Sequence, residues 1–270
     1  MSHITVVEEV YYAQILQEID GGVLTLTLNR PARRNAITTV MLAELIHALE
    51  HAANDKSVRV VVLRGAEHGF CPGDDLSGMG PLPDEFVFRP KAFVTHVALQ
   101  KSLMSLPKPT IAVLHGYAFG VGLDLAMACD FRIATQDVVL QDQRVIERGM
   151  HAVTGCAWFQ PRAIGLPRAL EFLILGEPLD GRQAQKLGMV TRCVAPDQLE
   201  EAVIMLTQKL ATAPTKAIGL MKRQIYQGEA MDHQTFMEWA APLLKDVQIR
   251  DREEGIKAFL EKRPPNFTGE

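Results

Sequence analysis

Two glycine-rich loops hold the residue types that suggest chemistry in this chain. The first, residues 69–75, reads GFCPGDD, and the second, residues 115–122, reads HGYAFGVG. Glycine lets a backbone approach a ligand closely, and free N–H groups at a helix start attract negative charge. Two N–H groups that converge on one oxygen form an oxyanion hole, where one lost donor costs roughly 3–4 kcal/mol of transition-state stabilisation. The loops therefore suggest such a hole, although tight turns that bind no ligand have the same composition.

A dinucleotide site is the main alternative for the second loop. Gly116, Gly120 and Gly122 follow a predicted strand and precede a predicted helix. Their spacing is G-x-x-x-G-x-G, the reverse of the dinucleotide fingerprint, and they lie in the middle of the chain. This spacing disfavours an NAD site.

Alternating strands and helices must position the two loops. Residues 13–20 and 23–28 are β-prone and meet at two glycines, which predicts a hairpin. Short apolar runs predict buried strands before each loop, and an apolar stripe with helical spacing predicts the first helix. This alternation favours an α/β fold. The further predicted elements are a helix at 39–54, strands at 58–63 and 110–114, a mobile proline-containing loop at 81–90, helices at 92–106 and 123–129, and a strand at 131–134.

The last third of the chain has a different pattern. From residue 197 onward the helical spacing of apolar residues dominates, and β-prone runs end. Four helices are predicted there, and helices with large apolar faces often pack against another subunit. We therefore divide the chain into a core at 1–196 and a helical oligomerisation region at 197–270.

Composition excludes several other classes of protein. Of 270 residues, 47% are apolar and 22% are charged, and the net charge is −4, which disfavours binding to nucleic acid. The four cysteines form no C-x-x-C motif, so neither a zinc site nor a disulfide framework is expected. No apolar run approaches the roughly 20 residues that span a bilayer. Scattered thiols, and a start that resembles no targeting signal, lead us to expect a cytoplasmic protein.

Six segments together resemble the crotonase (enoyl-CoA hydratase/isomerase) superfamily. Each segment is weak alone, but their order and spacing over nearly the whole chain are highly specific. They are residues 29–36 (NRPARRNA), 70–76 (FCPGDDL), 108–122 with the second loop, 126–134, 176–190 and 254–263 (EGIKAFLEKR).

The resemblance implies a spiral of ββα units followed by a helical trimerisation region, often assembled as a dimer of trimers. It also implies that the oxyanion donors are the amides of Asp74 and Val121, the latter replacing a family glycine. For coenzyme A, it implies a clamp that includes Arg34, beside Arg33, because a guanidinium suits the nucleotide phosphates. In the alternative interpretation, Arg33, Arg34 and Lys262 are surface cations that bind no ligand. The remaining residues expected at this cofactor-binding site are Ala36, Asp74, Asp75, Leu76 and Lys262.

The resemblance fails at the second of the two acids that family hydratases use. Asp124 stands at the position of the first glutamate, although an aspartate at a helix start also has a structural interpretation. Counting forward from Asp130 puts the second glutamate at Arg144, and counting back from Gly149 puts it at Val145. Glu147 lies two or three residues further on, as a candidate replacement or as a surface residue.

Two other positions depart from the family pattern. An aspartate that serves some dienoyl isomerases and dehalogenases corresponds to Val153, while Arg148 and His151 nearby are unusual for the family. The Asp74 side chain is expected in the acyl pocket, where a carboxylate could act as a base, repel an anionic acyl group or be solvated.

We therefore predict an enzyme that stabilises the enolate of an acyl-CoA thioester, specifically an enoyl-CoA hydratase or isomerase with Asp124 as acid/base group. This chemistry implies no metal and no redox cofactor, since it needs only the oxyanion hole and one placed proton donor. Coenzyme A is part of the substrate. Two alternatives stay open. One is another thioester reaction, such as hydrolysis or C–C cleavage, that involves Asp74, Glu147 or His151. The other is an acyl-CoA-binding protein without catalysis.

Overall fold

The protein forms a parallel sheet with one antiparallel edge strand, in a computed structural model that describes residues 11–77, 80–81, 94–243 and 249–270. The six strands of this sheet lie in the order β1-β2-β3-β4-β6-β8. They are β1 (Ile15–Asp20), β2 (Val23–Leu28), β3 (Val60–Gly65), β4 (Thr110–Leu114), β6 (Phe131–Thr135) and β8 (Arg192–Val194). A second, two-stranded parallel sheet consists of β5 (Tyr117–Phe119) and β7 (Val139–Gln141).

The predicted hairpin is present, since β1 and β2 pair antiparallel. Gly21 and Gly22 connect them with φ angles of 53° and 84°, a left-handed region that glycine adopts without steric cost. The remaining pairs of the large sheet are parallel, so their strands need crossover connections.

The helices follow the predicted order with shifted ends. The first helix has the predicted bounds, and its N-terminus is capped by the Thr38 hydroxyl, which accepts a hydrogen bond from the Met41 amide. The predicted helix at 92–106 is found at His96–Ser105, and residues 92–93 lie outside the described part of the chain. Most of the predicted mobile loop at 81–90 is outside it too. The described helices are α1 (Thr39–Asn54), α2 (His96–Ser105), α3 (Val121–Met127), α4 (Cys156–Ile164), α5 (Leu166–Leu170), α6 (Gly181–Leu187), α7 (Leu199–Ala211), α8 (Thr215–Gly228), α9 (His233–Ala240) and α10 (Asp251–Leu260).

Apolar side chains bury both faces of the large sheet, as the continuous apolar strands predict. One face packs against α1, α2 and α3. On the other face, Val62, Ile111 and Ile133 pack with Leu199 and Val203 of α7. The first helix after residue 197 thus belongs to the same packed core as the strands.

The later helices keep large apolar side chains on the surface. In α8 and α10 these include Ile225, Ile256, Phe259 and Leu260, the last two more than 70% exposed. Among the described residues, no helix is both long and apolar enough to cross a membrane.

Candidate active site

Main-chain pairing holds the first glycine loop between two neighbouring segments. The Ile37 amide donates to the Gly73 carbonyl at 2.9 Å, and the Asp75 amide donates to the Ile37 carbonyl at 2.8 Å. On the opposite side, the Phe119 amide donates to the Cys71 carbonyl at 2.9 Å. The loop is therefore anchored to the segment before α1 and to β5, which leads into the second glycine loop.

The side chain of Asn35 connects the Asn-Ala pair before α1 to the first glycine loop. It is buried and has a left-handed φ of 64°, which asparagine tolerates better than most residues. Its side-chain amide donates to the carbonyls of Ala66 and Gly69, at 2.8 and 2.9 Å, and its side-chain oxygen accepts from the Arg30 amide. One side chain thus ties the loop before α1 to the start of the first glycine loop.

Gly73 brings the two glycine loops into close contact. Its φ is 103°, and a β-carbon there would lie 3.3 Å from the Phe119 carbonyl oxygen and 3.6 Å from the Val121 nitrogen. The residue after Gly73 is Asp74, so the two amides predicted as oxyanion donors come from adjacent chain segments. Within the described part of the chain, neither amide donates to a main-chain acceptor. Their role as donors to a bound oxygen stays a prediction.

Asp124 lies at the centre of a buried ionic network. Its Oδ2 accepts hydrogen bonds from the Arg144 guanidinium at 2.9 Å and from the Thr154 hydroxyl at 2.6 Å. Arg144 also forms a bidentate pair with Asp142, at 2.9 and 2.5 Å. All four residues are buried. The network therefore holds one oxygen of Asp124 in place.

The other oxygen of Asp124 has a different environment. Its Oδ1 is buried and has no hydrogen-bond partner among the described residues. Burial raises the pKa of Asp124 to about 6, against the lowering effects of Arg144 and Thr154. A carboxyl group with such a pKa changes protonation near neutral pH, as acid–base catalysis requires.

Arg144 stays a cation in this position. Burial by itself lowers the pKa of its guanidinium, but the hydrogen bonds and charges of Asp142 and Asp124 outweigh burial, and the net shift is upward. A guanidinium that keeps its charge cannot act as a general acid or base. The network thus positions Asp124 without adding a second proton-transfer group.

This network bears on the two positions counted for the second glutamate. Arg144 points inward to Asp124, whereas Val145 is exposed, which favours the forward count from Asp130. Glu147 is exposed and accepts a long hydrogen bond of 3.5 Å from the Gln141 side chain. Nothing in the described residues joins Glu147 to Asp124, and its predicted catalytic role stays untested.

The other unusual residues of this segment also face outward. His151 and Val153 are exposed, and Arg148 donates to the Gln143 side chain at 3.0 Å. Within residues 144–153, Arg144 is therefore the side chain that the structure brings to Asp124.

Asp124 and Asp142 also form a cluster with Cys156, in which one potential ligand atom of each lies within 4.8 Å of the others. Arg144 already pairs with both carboxylates, and burial raises the pKa of the Cys156 thiol to about 11. A guanidinium beside a protonated thiol does not fit a metal ion, which needs deprotonated ligands.

One contact was not predicted from the sequence. The Nε2 of His96 lies 2.7 Å from the Oδ1 of Asp74. His96 is the first residue of α2, and 22 positions separate it from Asp74. A histidine at a helix start is not a distinctive signal by itself, so sequence patterns could not have identified this pair.

The residues predicted to bind coenzyme A fall into two groups. Ala36 and Asp75 both contact Arg30, which donates to the Ala36 carbonyl at 2.6 Å and to the Asp75 carboxylate at 2.9 Å. Arg34 is exposed two residues before Ala36 and has a left-handed φ of 55°. The second group is Lys262, which is exposed just after α10. Asp74 and Leu76 adjoin Asp75 and so belong to the first group. Asp74 pairs with His96, and Leu76 is 76% exposed.

The fold and the paired glycine loops define an α/β enzyme of the crotonase type. The family profile described as enoyl-CoA hydratase/isomerase matches residues 18–270. The chain therefore belongs to the enoyl-CoA hydratase/isomerase family, as the sequence segments predicted, and it is an enzyme of that type.

Several known proteins are similar to this chain. The 1,2-epoxyphenylacetyl-CoA isomerase of Escherichia coli is 35% identical, over 94% of this chain and 98% of that protein. A probable enoyl-CoA hydratase of Rhodobacter capsulatus is 32% identical, over 96% of this chain and 99% of that protein. The crystal structure of an enoyl-CoA hydratase from Bacillus anthracis superposes with a TM-score of 0.85 at 31% identity, over 96% of this chain and all of that one. The predicted crotonase fold is thus confirmed.

Proposed function

We propose that this enzyme is an acyl-CoA isomerase that moves a proton through a thioester enolate and hydrates enoyl-CoA poorly. The observation that carries the proposal is the ion pair of Arg144 with Asp124. Arg144 is one of the two positions at which the family resemblance places the second acid of the hydratases. An isomerase can remove and return a proton with one group, whereas a hydratase must also orient water. Asp124 is the acid/base group in this proposal.

The proposed reaction begins with the thioester carbonyl between the amides of Asp74 and Val121. The free Oδ1 of Asp124 takes a proton from a carbon next to the carbonyl, and the negative charge moves onto the carbonyl oxygen. Two amides stabilise that oxyanion more than they stabilise the neutral carbonyl, which lowers the barrier. Asp124 then returns the proton to another carbon of the conjugated system.

Arg144 supports isomerisation in a second way. Its guanidinium holds the Oδ2 of Asp124, so that Oδ1 is the oxygen left for the substrate. Asp142 keeps Arg144 in place and balances its charge. Because Arg144 cannot give up its proton, the network of Arg144 with Asp124 supplies no second acid for hydration.

The relatives' names include both reaction types, an isomerase in Escherichia coli and a probable hydratase in Rhodobacter capsulatus. They support acyl-CoA as the substrate class, and the Arg144 network favours isomerisation. The nucleotide of coenzyme A binds, in this proposal, beside Arg34, Ala36, Asp75 and Leu76, with Lys262 reaching a neighbouring subunit.

The assembly we propose is a trimer or a dimer of trimers, supported by the exposed apolar side chains of α8 and α10. The proposed chemistry requires neither a metal nor a redox cofactor, and we expect the enzyme to work in the cytoplasm.

Parallel assays of two thioesters test the function. With 3-hexenoyl-CoA the wild type should form the conjugated 2-enoyl isomer, while crotonyl-CoA should be hydrated far more slowly; mass spectrometry separates the products. Asp124→Asn keeps shape and hydrogen bonding, and it should slow isomerisation at least ~100-fold, the usual scale for general acid–base catalysis. Asp137→Asn, at an exposed position on the connection between β6 and β7, is the matched control.

Three results would contradict the proposal in different ways. Efficient hydration of crotonyl-CoA without isomerisation would show that another residue supplies the second acid. A large loss with Asp74→Asn and none with Asp124→Asn would transfer the acid/base role to Asp74. Thermal stabilisation by CoA thioesters without any turnover would favour a protein that only binds acyl-CoA.

A further inference from the structure

A carboxylate–imidazole pair lies beside the proposed oxyanion hole and has no part in the isomerase mechanism. Its members are His96, at the start of α2, and Asp74, whose own amide is one of the two proposed oxyanion donors. The His96 and Asp74 side chains are 16% and 21% exposed, so water reaches the pair without fully solvating it. A histidine oriented by a carboxylate next to oxyanion donors is an arrangement that suits acyl transfer.

A small cavity lies between His96, one member of this pair, and Val121, the residue of the second proposed oxyanion donor. Its volume is about 10 Å³, close to the space that one water molecule needs. His96 and Val121 both line it, together with the side chain of Gln100. The imidazole and the residue that carries the second donor amide therefore border the same one-water space. The remaining lining residues are aliphatic: Ile37, Leu42, Leu99 and Leu125.

We propose that the enzyme also hydrolyses acyl-CoA thioesters, with His96 as the general base and Asp74 as the carboxylate that positions the His96 imidazole. This inference rests on the oxyanion hole and the acyl-CoA substrate of the proposed function. It does not depend on isomerisation or on Asp124.

The hydrolytic step balances without any further reactant. Neutral His96 accepts a proton from water as the water oxygen bonds to the thioester carbonyl carbon. The π electrons of the carbonyl move onto its oxygen, which the amides of Asp74 and Val121 hold. When the carbonyl re-forms, the carbon–sulfur bond breaks, and the leaving coenzyme A thiolate takes the proton from His96. The products are a carboxylic acid and free coenzyme A.

The two proposed activities use proton-transfer groups on different elements. Asp124 lies in α3 and is held by Arg144 and Thr154, whereas His96 lies in α2 and is held by Asp74. The two sets share no side chain. Substitution of one group should therefore spare the reaction of the other.

A saturated thioester separates the activities experimentally. Hexanoyl-CoA has no double bond to move, so release of its coenzyme A thiol, followed with a thiol-reactive dye, reports hydrolysis alone. His96→Gln should reduce the kcat of thiol release at least ~100-fold and leave isomerisation of 3-hexenoyl-CoA nearly unchanged. Asp124→Asn should do the reverse. His68→Gln, on a mostly exposed histidine, is the control.

Asp74→Asn tests the positioning role, because it keeps the backbone amide and removes the side-chain charge. It should lower the kcat of thiol release about tenfold or more while the KM for hexanoyl-CoA stays constant, since the imidazole loses its orientation and its counter-charge. A purely structural ion pair would instead change KM or both reactions together.

Several outcomes would overturn the inference. Wild-type enzyme that isomerises 3-hexenoyl-CoA but releases no thiol from hexanoyl-CoA above the uncatalysed rate would refute hydrolysis and leave the isomerase standing. Thiol release without isomerisation would refute the isomerase alone. Both His96→Gln and the smaller His96→Asn could lose both reactions while circular dichroism and thioester binding stay at wild-type values. That result would show that His96 shapes the site and is not the base for hydrolysis. Thiol release that depends on Asp124 would assign the base there.

Discussion

The Nη1 of Arg144 lies 2.9 Å from the Oδ2 of Asp124, which places a permanent cation beside the carboxylate that we propose as the acid/base group. A second aspartate, Asp142, holds the same guanidinium. Arg144 is therefore the cation that pairs with both buried carboxylates of this network.

Removal of Arg144 should destabilise the protein. Arg144→Met leaves the carboxylates of Asp124 and Asp142 buried without a counter-ion, and we expect a loss of about 3–5 kcal/mol in the free energy of unfolding. Urea denaturation at neutral pH measures this change. Arg148→Met, at an exposed position four residues further on, should change stability by less than about 0.5 kcal/mol. A similarly small change for Arg144→Met would show that the network is not tightly coupled.

The rate of isomerisation should fall in acid. Asp124 must be ionised to accept a proton, and burial raises its pKa from 3.8 to about 6. The kcat/KM for 3-hexenoyl-CoA should therefore be constant above about pH 7 and fall tenfold per pH unit well below pH 6. A profile that stays flat down to pH 4 would exclude Asp124 as the base.

The same shift sets the sign of a pH effect on stability. Between pH 3.8 and about 6 the folded protein keeps the Asp124 proton that the unfolded chain releases, so the stability contribution of Asp124 is lost as pH rises through that range. The difference in unfolding free energy between wild type and Asp124→Asn should decline over this range and then level off. A difference that increases with pH would mean that the pKa of Asp124 is lowered in the fold.

Gly73 should be sensitive to a single added carbon. Its β-carbon would lie 3.3 Å from the Phe119 carbonyl oxygen, at a φ of 103° that strains any other residue. Gly73→Ala should shift the neighbouring Asp74 amide, and a displacement of about 1 Å can cost ~10²-fold in kcat. Gly21→Ala is the matched control, with a positive φ of 53° but no neighbour within 4 Å. If Gly73→Ala and Gly21→Ala changed kcat equally, the close approach at Gly73 would have no specific role in the site.

The nucleotide contacts are testable by charge reversal at Arg34. Arg34→Glu should weaken CoA thioesters far more than their dephospho-CoA analogues, because the new carboxylate repels the additional phosphate. Added salt should also weaken wild-type binding. Calorimetry measures both affinities, and Arg168→Glu makes the same charge change at an exposed position on α5. Equal losses for the two ligands would remove Arg34 from that phosphate site.

The exposed apolar residues of α10 predict self-association. Light scattering at micromolar concentration should give the mass of a trimer or hexamer, and Phe259→Asp should reduce it, because this side chain is 82% exposed. Leu16→Asp, at an exposed position on β1, should leave the assembly intact. A wild-type monomer would refute the assembly and any role for Lys262 across subunits.

Local patterns were sufficient for much of this fold. The hairpin, the first helix and the buried strands follow from short-range periodicity and from two glycines, because these elements depend on residues close in sequence. The resemblance to the crotonase superfamily also implied that Asp74 and Val121 belong to one site, and the close approach of Gly73 to the Val121 nitrogen agrees with it. Spacing left the second acid ambiguous between Arg144 and Val145, and it predicted Glu147 as a candidate replacement.

The side-chain partnerships required the tertiary structure. Arg144 joins Asp124 across 20 positions, and His96 joins Asp74 across 22. Such contacts depend on how α2, α3 and the glycine loops pack together, and no periodicity within one element encodes that packing. From its sequence this protein could be predicted to be an acyl-CoA enzyme with an altered acid/base set. Long-range packing decided which residue restrains Asp124 and which imidazole lies beside the proposed oxyanion hole, since only the folded chain brings those groups within hydrogen-bonding distance.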